Sequence, residues 1–111
     1  MMRVTVLLTR PPLSTAHVTE ALRVSLMLAA LGHDVSLVLI DDGVFMLLEN
    51  MGASFGLETL KRADGADGLH LCVHGDSVRK LLPDMKIPAT YSMLETRDIA
   101  SMILSEKVLV F

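Results

Sequence analysis

The sequence predicts one α/β domain, a three-layer sandwich around a five-stranded and mainly parallel sheet, from three observations on its 111 residues. Short, β-branched and almost wholly apolar runs recur along the chain, as strands buried on both faces do. Segments of helical composition closed by Gly or Pro separate them. Strands that alternate with helices in this way fit a parallel sheet joined by short right-handed crossovers. No repeat, linker or low-complexity tract divides the chain, so a single domain is expected over residues 1–111.

Each element has a local reason. Residues 4–9, "VTVLLT", form the first predicted strand, and Pro11 and Pro12 end its ladder. Residues 17–31 are rich in Ala, Leu and Met and stop at Gly32, a natural residue for the left-handed turn after a helix. Residues 35–40, "VSLVLI", are the second strand, and Asp42 is expected to cap a short apolar helix over 44–51. A further short helix is expected over 56–63 and a turn over 64–68. Residues 69–73 are the third strand, with 69, 71 and 73 on one face and 70, 72 and 74 on the other. A helix over 77–82 ends at Pro83, and residues 87–91 read as the fourth strand. Ser92 and Glu95 have capping-box spacing for a helix to about residue 105, and residues 108–111 are the last strand.

Composition narrows the function. A net charge of −3, scattered Lys and Arg, and no Trp argue against a nucleic-acid surface. No run reaches transmembrane length, and no leader precedes the first strand, so no membrane association and a cytoplasmic location are expected. The lone cysteine forms no internal disulfide, which suits a reducing compartment. A mean hydropathy of +0.51 is high for so small a chain and predicts apolar surface covered by other subunits.

The stretch "HLCVHGDS", residues 70–77, holds that cysteine, Cys72, between His70 and His74. Strand carboxyl ends collect the chemistry of parallel sheets. A helix beginning after Gly75 would aim backbone N–H groups at the sulfur and lower its pKa toward neutrality. Protonated His70 or His74 would act in the same sense, and Asp76 against it unless its carboxylate caps the helix. Ser77 opens that helix. The residues alone favour an inert core cysteine, since Cys is among the most buried residue types. A metal set of His70, Cys72 and His74 is disfavoured, since alternate residues on a strand lie roughly 7 Å apart. Ser14 and Thr15 suit helix capping better than a phosphate cradle, because their loop has prolines in place of glycines. Asp41 and Asp42 lack identifiable partners for a Mg²⁺ site, so neither metal nor cofactor is expected.

The runs "ALGHDVSLVLIDDGV" (30–44), "LCVHGDSVRKLLP" (71–83) and the closing "KVLVF" resemble the DsrE/DsrF/TusD sulfur-relay family, in the same order along the whole chain. The resemblance implies a flavodoxin-like, DsrE-like sandwich assembled into trimers or hexamers, alone or with sister subunits. It implies a persulfide carried on the cysteine that ends the third strand, here Cys72, received from a sulfur-donor protein and passed to a sulfur-acceptor protein. His70, His74, Gly75, Asp76 and Ser77 are the supporting candidates around it. The same family contains non-catalytic subunits, which is the alternative function, and an acidic Asp76 stands where a neutral helix start would favour an anion better.

Overall fold

A computed structural model describes residues 2–11, 15–48 and 68–111. Strand β1 (Arg3–Leu8) is the sheet's most enclosed run: Val4, Val6 and Leu8 turn to one face, Thr5 and Leu7 to the other, and all are buried. Helix α1 (Thr15–Ala30) follows and buries Val18, Ala21, Leu22 and Ala29 against the first face. It stops where Gly32 takes φ +93°, with the His33 N–H donating to the Leu28 carbonyl and the Gly32 N–H to that of Ala29. These are the two bonds of a Schellman cap, whose left-handed residue is best supplied by glycine.

Strands β2 (Asp34–Leu39) and β3 (Leu69–His74) add beside β1, and β4 (Ser92–Leu94) and β5 (Lys107–Val110) form the edges. The order is β4-β3-β2-β1-β5, and every pairing is parallel. This order sets the layers. From β1 through β4 each step moves the same way across the sheet, so right-handed crossovers put α1, a 3-10 helix (Asp41–Leu47) and helix α2 (Gly75–Leu81) on one face. The connection from β4 to β5 returns over the whole sheet, so helix α3 (Thr96–Ser105) lies on the opposite face. The first face holds the main core, including Leu37, Leu39, Leu71, Val73, Met46 and Val78. The second holds a much smaller cluster of Leu7, Val38, Cys72 and Ile99, with Ile40, Leu94, Met102 and Val108 packed against it.

The structure corrects four local expectations. The fourth strand is residues 92–94, not 87–91: Pro88 has no N–H for a ladder, and its carbonyl accepts from the Tyr91 N–H at 3.0 Å to close a turn instead. Ser92 is therefore paired in the sheet opposite Cys72 and caps nothing. Glu95 is the residue before α3, and its N–H donates to the Asp98 carboxylate at 2.9 Å, so the box is shifted by three residues. The segment after β2 is a 3-10 helix beginning at Asp41, preceded by Ile40 without a side-chain cap, so Asp42 does not cap it. Its Gly43 runs so close to β1 that an added Cβ would lie 1.9 Å from the Leu8 carbonyl oxygen. The expected helix over 56–63 and Ser14 lie outside the described residues.

Candidate functional site

Cys72 lies in the carboxyl half of β3, just before Val73 and His74, and strand alternation turns its side chain to the face covered by α3. There it is 5% exposed and enclosed with Leu7, Val38 and Ile99. Helix α2 packs through Val78 on the other face, so its N-terminus and the sulfur lie on opposite sides of the sheet. The expected depression of the thiol pKa does not occur. Burial, with the Glu106 carboxylate as a second cause, pushes the thiol up from an ordinary 9.0 to about 11. Glu106 is held in place by the buried Thr5, whose hydroxyl donates to Oε1 at 2.9 Å.

The two flanking histidines share that face and have different company. His70 is exposed and sits 2.6 Å from Asp34 through Nε2. His74 is enclosed at 12% side-chain exposure, with Nδ1 2.7 Å from Ser77 Oγ and Nε2 2.8 Å from Thr96 Oγ1. The Asp41 N–H donates to Ser77 Oγ at 3.0 Å, and the Thr96 hydroxyl donates to Asp76 Oδ2 at 3.0 Å. That leaves the Ser77 hydrogen for Nδ1 and the Thr96 oxygen for an Nε2–H. With the ring so assigned, every donor from the Asp41 amide to the Asp76 carboxylate has an acceptor. Asp41 is held at φ 53°, an uncommon left-handed value, where its N–H meets Ser77.

Asp76 does not cap α2, which His74 precedes without a side-chain cap. Its carboxylate pairs with Arg79 at 2.5 Å, and the hydrogen bonds from Arg79 and then Thr96 hold its pKa below the ordinary range. Arg79 also reaches Glu95 at 2.9 Å, so it ties the start of α3 to α2. Gly75 lies under this network. A Cβ there would stand 3.1 Å from the Arg79 guanidinium and 3.2 Å from Glu95 Oε1.

The structure thus brings His74, Asp76 and Ser77 into one network at the carboxyl end of β3 and leaves His70 apart. It adds Thr96, Arg79 and Glu106, which the sequence reading did not single out, and Glu95, which that reading placed only in a helix cap. The only local signal for the first three is the i,i+3 spacing of Asp76 and Arg79 on a short helix. Among the described residues no group of three or more His, Cys, Asp or Glu is placed to hold a metal ion. A shallow groove of about 180 Å³ lined by Ala16, His17, Glu20 and Phe111 lies beside β5, not at Cys72.

Among the described residues no helix is long and apolar enough to cross a membrane. No curated protein matches the chain in sequence. The crystal structure of the ychN protein from E. coli matches it over 100% of both chains, with a TM-score of 0.77 and 17% identity, which shows a shared fold. The DsrE/DsrF-like family matches residues 2–111. By that match over nearly its full length, the chain belongs to the DsrE/DsrF-like family.

Proposed function

We propose that this protein is an intracellular, cytoplasmic sulfur carrier that holds a persulfide on Cys72 and passes it to a partner protein thiol. Membership of the DsrE/DsrF-like family suggests sulfur relay in general, and the observation that carries the finer reading is the chain's one cysteine near the carboxyl end of β3, an interior strand of the sheet. The chemistry needs no cofactor. The Cys72 thiolate attacks the outer sulfur of a donor persulfide, a new S–S bond forms, and the donor leaves as a thiolate. An acceptor thiolate then attacks the outer sulfur of the Cys72 persulfide, and the Cys72 thiolate leaves. Neither step changes the net oxidation state. With no second cysteine, the persulfide has no route to an internal disulfide.

His74, Ser77, Asp76 and Gly75 serve as support for this site, holding the carboxyl end of β3 against the start of α3. His70, exposed and paired with Asp34, is a weaker candidate. Donor and acceptor proteins are the partners, and a trimer, a hexamer or a mixed assembly would cover the exposed Leu31, Leu104 and Val110. One observation favours a second reading. A thiol 5% exposed with its pKa near 11 is what a structural subunit with an inert cysteine would have. Incubation with a persulfide donor followed by intact-mass measurement separates the two. A carrier gains one sulfur that is lost on substituting Cys72→Ser, and a structural subunit gains none.

A further inference from the structure

The cover over Cys72 is built unlike the rest of the molecule. The main-core face is closed by α1, α2 and the 3-10 helix, which bury many apolar side chains. Among the described residues, the other face is closed by α3 alone, which fully buries one side chain, Ile99. Its first turn is fastened by polar contacts, one to the enclosed His74 and the others at exposed side chains. Thr96 bonds His74 at 2.8 Å and Asp76 at 3.0 Å, and Glu95 meets Arg79 at 2.9 Å. Its last residues run straight into β5, which is hydrogen-bonded to β1, and Glu106 is tied to the buried Thr5. One end is therefore anchored in the sheet. The other end follows β4 with only Glu95 between, and β4 is a three-residue, mostly exposed edge strand paired with β3, so beyond those pairings this end is held by contacts in which water competes. Segments with few buried contacts and exposed hydrogen bonds open locally far more often than the whole domain unfolds.

We infer that α3 is a hinged cover over Cys72, latched at Glu95 and Thr96 to Arg79 and Asp76 of α2 and pivoting where it enters β5. In the closed state the sulfur is walled in by Leu7, Val38 and Ile99. Lifting the first turns of α3 together with β4, which gives up its three pairings with β3, removes Ile99 and opens a path to the sulfur while β1, β2, β3 and β5 stay paired. The opened thiol leaves its apolar enclosure and ionises nearer its ordinary range. The inference rests on the sulfur-carrier reading for its purpose, because both transfer steps need a partner sulfur in contact with Cys72. Its geometry stands without that reading.

Alkylation of Cys72 by iodoacetamide, followed by intact mass at several urea concentrations below the unfolding transition, tests the cover. The full chain is compared as wild type, Thr96→Val and Arg79→Gln. A hinged cover gives labelling that depends only weakly on urea and runs roughly three- to tenfold faster in each latch variant. Labelling that rises with urea as steeply as global unfolding, at one rate in all three proteins once corrected for stability, overturns it. Sulfur loading from a persulfide donor, run on the same samples, keeps the two ideas apart. Fast, latch-dependent alkylation without loading leaves the cover standing and removes the carrier reading. Loading without local opening does the reverse.

Discussion

A thiol three residues before a helix is a poor nucleophile when it faces the other side of the sheet from that helix. Cys72 shows this: proximity in sequence to the start of α2 suggested an activated sulfur, and side-chain alternation along β3 turned it into the apolar space under α3. The pH consequence has a definite sign. Folding raises the thiol pKa from 9.0 to about 11, so the unfolded chain loses this proton first. The stabilisation is present in full below about pH 9 and is lost as pH rises through about 11. It amounts to roughly 2 kcal/mol. Urea melts of wild type and Cys72→Ala should therefore converge by about that much between pH 8 and pH 11, and curves that stay parallel would contradict a buried thiol. Asp76 belongs to the opposite case. Its lowered pKa places its contribution above the ordinary carboxylate range, to be lost on acidification. Acid should therefore loosen the Thr96 and Arg79 contacts, seen as faster alkylation of Cys72 relative to a denatured control at the same pH.

At the level of elements, the close approach of the 3-10 helix to β1 predicts that Gly43→Ala is among the costliest single-methyl additions. Its Cβ has no room beside the Leu8 carbonyl, and a loss of about 3 kcal/mol in a urea melt is expected. Ile99→Ala should cost about 2–4 kcal/mol and also speed alkylation of Cys72, since it removes the one buried side chain of α3. The strands β1, β2, β3 and β5 were legible within a residue or so because each is a dense apolar run between breakers. β4 was not. Only three residues long and mostly exposed, it carries little apolar signal, and Ile87 to Tyr91 imitated a strand while Pro88 made a turn. The helix signal at Ser92 and Glu95 was misplaced for a related reason: Glu95 with Asp98 has the same spacing as Ser92 with Glu95, and only the sheet pairing of Ser92 decides between them.

For the whole molecule, alternation of strands and helices was enough to foresee the parallel five-stranded sandwich, and the family match agrees with it. The environment of the cysteine was not foreseeable in the same way. It depends on the direction of one connection, β4 to β5 across the sheet, which brings Ile99, Met102 and Glu106 over a strand far from them in sequence. The same connection joins Thr96 to His74 and Asp76, so the polar network exists only once the topology is closed. Sequence proximity thus identified the residues around the sulfur on β3 and α2, and long-range packing decided how reachable the sulfur is. On the carrier reading this sulfur works despite its cover, and intact-mass measurement of wild type and Cys72→Ser after exposure to a persulfide donor decides it. One added sulfur on wild type only, removed by reductant, is the expected result; no gain on wild type, or an equal gain on Cys72→Ser, would contradict it.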